Sequence, residues 1–106
     1  MNRFTFNGAL INAAQKGLTD IVERLLADGA NIDTTDKKGN TALILAAKNG
    51  DEPTVKLLLE NRAKIDVPNN SGATALIAAA KVGVNKIIKL LLENCLLYTS
   101  PSPRDA

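Results

Sequence analysis

One pattern of residues recurs every 33 positions, and it constrains the fold of this chain more than any other feature. The segments ALINAAQKG, ALILAAKNG and ALIAAAKVG begin at residues 9, 42 and 75 and align without a gap. The register continues in columns of apolar residues, formed by Val22, Val55 and Ile88 and by Leu25, Leu58 and Leu91. A period of this length is typical of a stack of small units, in which each unit packs against its neighbours.

Each unit is predicted to form two short helices that are separated by a tight turn. Thr41 and Thr74 stand where an N-cap hydroxyl accepts a backbone N–H, and Gly50 stands where a helix ends in the left-handed conformation. Pro53 lies in the first turn of a second helix, where its missing N–H costs no hydrogen bond. Together these signals predict helices at residues 9–17, 19–28, 42–49, 52–61, 75–82 and 85–94.

The second helix of each unit carries an apolar stripe that has to be buried between units. Val55, Leu58 and Leu59 recur at helical spacing, and helices this short are not stable alone. Alanine pairs in the first helices allow neighbouring backbones to approach closely. We therefore expect the buried set to include Leu43, Ala47, Val55 and Leu58, and the exposed set to include Lys37 and Lys38.

The order of turn, helix and helix resembles the ankyrin repeat family. The family pattern D-x-x-G-x-T-P-L-H-x-A-A-x-x-G is matched in the second unit at Asp36, Gly39, Thr41, Leu43, Ala46, Ala47 and Gly50. Ala42 and Ile44 replace its Pro and His, so the family's Thr–His hydrogen bond is expected to be missing. Arg62 replaces the glycine that the first unit has at Gly29. The resemblance implies an all-α solenoid of helix-turn-helix units with projecting turns.

The repeat register divides the chain into four segments. Residues 1–35 lack the turn motif and are predicted to be an N-terminal capping repeat, with Phe4 and Phe6 covering the open end. Residues 36–68 form a full repeat and residues 69–94 a truncated one. The last segment, residues 95–106, reads CLLYTSPSPRDA and resembles a translated sequencing-library adapter. We expect it to be non-native and the native array to be longer; a genuine disordered C-terminus is the alternative.

Catalytic and metal-binding chemistry has little support in the composition. The chain has no histidine and a single cysteine, Cys95, which argues against His-based triads and most zinc sites. The adjacent acids Asp51 and Glu52 are interpreted as a helix N-terminus, where carboxylates favour the macrodipole. We therefore expect no enzyme activity, no cofactor and no metal. No apolar run is long enough for a membrane span, which favours a cytoplasmic protein, with a secreted effector as the open alternative.

The resemblance also implies a partner-binding surface on the turn tips and the exposed face of the first helices. The residues predicted to bind are Lys16, Lys37, Lys38, Asn40, Lys48, Asn49, Asn70, Ser71 and Lys81. Gln15, Ala73 and Val82 occupy the remaining positions of this surface. Five of these residues are lysines and none is acidic, so we expect a protein partner, one with an acidic surface.

Three other interpretations stay open. The surface can be an ordinary solvated face without a partner. The lysines can bind nucleic acid or another anionic surface, although the small net charge of +2 and the 3% aromatic content make nucleic acid unlikely. The chain can also be an accessory repeat region of a larger enzyme.

Overall fold

The computed structural model describes the backbone of residues 3–98 and the side chains of residues 6–94. These residues form six helices, namely α1 (Arg3–Lys16), α2 (Thr19–Ala27), α3 (Ala42–Asn49), α4 (Glu52–Glu60), α5 (Ala75–Val82) and α6 (Asn85–Tyr98). Within residues 3–98 the only strand-like pairing is an isolated bridge between Thr35 and Thr41. The predicted all-α architecture of paired helices is therefore confirmed.

The helix ends of the second and third repeats follow the capping signals. The Thr41 hydroxyl accepts the N–H of Ile44 at 3.2 Å, and the Thr74 hydroxyl accepts that of Ile77 at 3.3 Å. At the other end of α3, Gly50 has a φ of 69°, a left-handed conformation that glycine adopts without steric cost. Because both ends are specified locally, α3 and α5 have the bounds that the sequence predicts.

Helix α1 begins earlier than predicted. The alignment placed its start near residue 9, with Gly8 in the position of the Thr41 cap, but α1 begins at Arg3. The segment before Gly8 contains neither a proline nor the turn motif, so nothing in it stops the helix. Asn7 on this extra turn accepts the N–H of Asn31 through Oδ1 at 2.8 Å, which ties it to the connector after α2. Phe6 is half-buried, and the side chain of Phe4 lies outside the described residues.

The core lies between consecutive units. Leu43, Ala47, Val55 and Leu58 are all at most 1% exposed, which confirms the predicted buried set. Helix α3 packs between α1 and α5, and α4 contacts both α2 and α6. The middle repeat therefore has a neighbour on both sides, whereas within the described residues each outer repeat packs against one neighbour.

A polar contact also joins the second helices of the first two repeats. Thr54 is fully buried, and its hydroxyl donates to Asp51 Oδ2 at 2.5 Å. The Thr54 and Thr19 hydroxyls are 2.7 Å apart and share a hydrogen bond. Asp51 precedes α4 and accepts from within its first turn, so its carboxylate has a structural partner.

The end of the described chain continues a helix. Helix α6 runs through Tyr98, past Asn94, where the repeat register fails. The alignment placed the end of this helix near residue 94, but the cysteine and leucines that follow are tolerated in a helix, so it continues for about one more turn. Residues 99–106 lie outside the described residues, and the adapter interpretation of residues 95–106 stays a prediction. None of the helices within residues 3–98 has the length and apolar character that crossing a bilayer requires.

Candidate functional site

The turns that precede α3 and α5 are built in the same way. In the first turn Asp36 Oδ1 accepts the N–H groups of Lys38 and Asn40, both at 2.9 Å. In the next turn Asn69 Oδ1 accepts those of Ser71 and Ala73, also at 2.9 Å. An Asp or Asn at this position closes the turn with its own side chain. The residues between, including Lys37 and Lys38, are left on the exposed tip.

The carboxylate of Asp36 is stabilised in its charged form by this turn. Partial burial acts to raise its pKa, but the N–H of Asn40, the side chain of Asn40 and the N–H of Lys38 donate to it. The charge of Lys38 acts in the same direction. Together these contacts hold the pKa of Asp36 below its ordinary value, because hydrogen bonds to a carboxylate favour its ionised form.

Consecutive turns are joined by hydrogen bonds. Asn70 donates its N–H to the Lys38 carbonyl at 2.9 Å and its Nδ2 to the Lys37 carbonyl at 3.1 Å. Gly39 lies against this junction and has a φ of 80°. A Cβ at this position would lie only 2.9 Å from the backbone nitrogen of Asn70, which is closer than a Cβ normally approaches. The two turn tips are therefore held in register, which fixes Lys37 and Lys38 relative to Ser71.

The structure corrects the expectation for Asn40. It was predicted to face a partner, but its side chain is only 3% exposed. Its Nδ2 donates to Asp36 Oδ2 at 3.3 Å, and its Oδ1 accepts from Asn69 Nδ2 at 2.8 Å. Sequence alignment could not show this inward orientation. Asn69 belongs to the next turn, and only the fold sets the distance between the two turns.

The other predicted residues lie at the surface, on two levels. Lys37, Lys38, Asn70 and Ser71 are exposed on the turn tips. Lys16, Lys48, Asn49 and Lys81 are exposed at the C-terminal ends of the first helices. Two of the asparagines are engaged within the protein: Asn70 as above, and Asn49, whose Nδ2 donates to the Gln15 carbonyl at 2.6 Å. The exposed lysines are thus the side chains best placed to meet a partner.

The lysines of this surface form no ion pair with a described carboxylate. Among the described side chains one ion pair is found, in which Arg24 Nε lies 3.6 Å from Asp28 Oδ2. Arg24 lies on α2, and Asp28 is the residue that follows it. Within that same part of the chain, Lys16, Lys37, Lys38, Lys48 and Lys81 have no carboxylate within ion-pair distance. We call these five residues the lysine surface. Residues 6–94 also contain no cluster of acids or thiols suited to holding a metal ion.

A hollow of about 270 Å³ opens between the second and third repeats, beside the lysine surface. Ile44 and Ala78 lie at its buried side, and Val82 is 50% exposed at its edge. Its other lining residues are Lys48, Asn69, Ser71, Ala73 and Lys81. Ile44 and Ala78 were not among the residues predicted to bind, because the alignment identified them only as repeat positions of the first helices.

Comparison with known proteins agrees with the fold. The family model described as ankyrin repeats in three copies matches residues 10–102, most of the chain. The chain therefore belongs to the ankyrin repeat family, whose members are generally protein–protein interaction modules and typically not enzymes. No curated protein matches the chain significantly.

Proposed function

We propose that this chain binds a protein partner through the lysine surface and that the partner presents an acidic patch. The observation that carries the proposal is the recurrence of exposed lysines on one side of the stack. Lys48 and Lys81 occupy equivalent positions in consecutive repeats, and Lys37 and Lys38 extend the charge onto the turn tip. A partner that spans two repeats would meet several like charges at fixed spacing.

The rigidity of this surface supports the proposal. The turn tips are joined through Asn70, and α3 packs directly on α5, so the lysines are carried on a scaffold that is already ordered. A preorganised surface loses less conformational entropy on binding than a mobile one. Exposed charges of one sign also raise association rates and favour partners of opposite charge.

Charge reversal tests the proposal with an acidic peptide as the probe. Lys37→Glu combined with Lys48→Glu is expected to weaken binding of a fluorescent polyglutamate peptide about tenfold at roughly 50 mM salt. At about 500 mM salt the loss should fall to less than about threefold, because salt screens exposed charges. Fluorescence anisotropy measures both affinities.

The matched control reverses two lysines elsewhere on the stack. Lys56 and Lys89 are exposed on the second helices α4 and α6, so Lys56→Glu with Lys89→Glu changes the net charge equally. If this control variant loses as much affinity as the first, overall charge rather than the lysine surface governs binding, and the proposal is wrong. Equal losses at low and high salt would likewise contradict an electrostatic contact.

Nucleic acid is the alternative ligand for the same lysines, and it is tested in the same experiment. A single-stranded oligonucleotide of similar length and charge is added as a competitor. Because residues 7–97 contain no aromatic residue, this part of the chain offers bases no stacking platform, and the oligonucleotide should compete no better than polyglutamate. Markedly tighter binding of the oligonucleotide would favour the nucleic-acid function instead. The absence of enzyme activity and the cytoplasmic location stay predictions.

A further inference from the structure

The third repeat differs from the second at two positions that lie beside the lysine surface. In the second repeat Asn40 is buried and bonded to Asp36 and, across the junction with the third repeat, to Asn69, and Asn49 donates to Gln15 of the first repeat. The residues 33 positions later are Ala73 and Val82. Neither alanine nor valine has a polar side-chain atom, so neither can make these bonds.

The exchange places two apolar side chains in the lining of the hollow. Ala73 is smaller than the asparagine it replaces, and Val82 remains 50% exposed at the rim. Ile44 forms the base and is 1% exposed. The hollow of about 270 Å³ is smaller than the pockets of about 300–1,000 Å³ that usually hold small-molecule ligands. Its size and lining suit a single apolar side chain instead.

The charges at the rim indicate what surrounds that side chain. Lys48 and Lys81 both line the hollow, and both are exposed. Lysine can lay its methylene stem along apolar surface while its ammonium group stays in water. A segment with acidic residues beside one apolar residue would therefore meet both features of the site together.

We propose that the hollow binds one large aliphatic side chain of an acidic peptide segment, with Lys48 and Lys81 pairing with its flanking carboxylates. This inference rests on the proposed function and adds the specificity-determining contact to it. The lysines set the charge of the partner, and the hollow selects the residue at the centre of its bound segment.

The test uses two fluorescent peptides that differ at one residue. Each has glutamates on both sides of a central residue, which is leucine in one peptide and serine in the other. The full chain is expected to bind the leucine peptide about tenfold more tightly than the serine peptide, because the leucine side chain leaves water. Val82→Asn and Ala73→Asn, which install the equivalent residues of the second repeat, should each abolish most of that preference.

Two controls accompany these variants. Asn is the natural last residue of α3, so Val82→Asn at the last position of α5 is expected to leave the melting temperature unchanged. Ile21→Asn removes a comparably exposed apolar side chain, 48% exposed on α2, and should leave the leucine preference intact. The inference is supported if the wild type prefers the leucine peptide and if, of the three variants, only Val82→Asn and Ala73→Asn lose that preference.

The outcomes separate this inference from the proposed function. Equal binding of the two peptides, with both weakened by Lys48→Glu, would overturn the hollow as a specificity site and leave the lysine surface standing. A leucine preference that survives both Val82→Asn and Ala73→Asn would also overturn the inference. If neither peptide binds at low salt, the proposed function itself is wrong, and the inference fails with it.

Discussion

At the residue scale, the turn after α4 contains one unusual backbone conformation. Arg62 has a φ of 67°, and no other described non-glycine residue has a positive φ. The first repeat has Gly29 at the equivalent position, with a φ of 102°. The N–H of Ala63 bonds to the Leu58 carbonyl at 3.0 Å, which closes the end of the helix and holds Arg62 in this region. The sequence showed only that an arginine replaces the glycine, and the structure identifies the cost of this exchange as backbone strain.

Arg62→Gly is predicted to stabilise the chain by about 0.5–1 kcal/mol. Relief of a left-handed residue is worth roughly 1–2 kcal/mol, and the greater freedom of glycine in the unfolded chain offsets part of it. Urea unfolding followed by circular dichroism measures the change. Arg62→Ala is the control, since it removes the same charge and keeps the strained φ. A gain of equal size in both variants would assign the effect to charge instead.

The second prediction at this scale concerns the Asp36 carboxylate. Asp36→Asn is expected to cost about 1 kcal/mol at pH 7, because Asn40 Nδ2 loses its acceptor. Since folding lowers the pKa of Asp36, its stabilising effect is present above the ordinary carboxyl pKa and is lost as the pH falls through the folded value.

The difference between wild type and Asp36→Asn should therefore shrink between about pH 5 and pH 2. Chemical unfolding at several pH values checks it. Asp66→Asn, which alters an exposed carboxylate in the next connector, is the comparison and should show a small difference at every pH. A constant cost for Asp36→Asn across the range would mean that its charge has no part in the stability.

At the element scale, each helix is stable only as part of the stack. Helices α3 and α5 have only 8 residues each, and α2 and α4 have 9. Isolated helices of this length are marginal in water, so their stability comes from the buried faces. Helix α4 contributes Val55 and Leu58, which are completely buried. The middle repeat is the element on which both neighbours depend.

Leu58→Ala is predicted to destabilise the chain by about 2–5 kcal/mol, since it leaves a cavity in a closely packed junction. Thermal unfolding measures the loss. Ile21→Ala, on the preceding second helix and 48% exposed, should cost much less. A Leu58→Ala chain that melts within about one degree of wild type would show that this column is not part of the core.

At the scale of the whole molecule, the chain is a linear stack with extents of 48 × 28 × 25 Å. Helix α3 contacts α1 on one side and α5 on the other, so coupling passes from one repeat to the next. Ile21 in the first repeat is exposed, although its counterpart in the middle repeat, Thr54, is buried. Leu92 in the third repeat is likewise exposed, although its counterpart Leu59 is buried. Burial at these positions thus depends on a neighbouring repeat, and in a one-dimensional stack such contacts between neighbours supply much of the stability.

The repeat register predicts that the last residues add nothing to this stack. A chain ending at Tyr98 is expected to melt within about 2 °C of the full chain, since residues 99–106 contain two prolines and no large apolar residue that could extend the core. A chain ending at Leu90 is the control, because it lacks Leu91, a fully buried side chain, and should melt several degrees lower. Large destabilisation on removal of 99–106 alone would show that the tail is part of the fold.

The sequence alone determined the repeat, the helix pairs and the core columns. These features depend on local signals, namely a capping threonine such as Thr41, a terminating glycine such as Gly50 and an apolar stripe that includes Leu58. Each signal is contained within one unit, and the 33-residue period transfers it to the next. The exposure of Lys37 and Lys38 followed in the same way from their place in a closed turn.

Tertiary structure decided which polar residues face inward and where the surface opens. Asn40 is buried because Asp36 and Asn69, in two consecutive turns, both reach its side chain. The hollow is lined by Ala73 and Val82 of the third repeat and by Ile44 of the second, so it forms only where the two repeats pack together. The start of α1 likewise could not be read from the alignment, which had no turn motif there to mark it. For Asn40 and for the hollow, the outcome depends on distances between units, and a one-dimensional pattern of residues does not contain them.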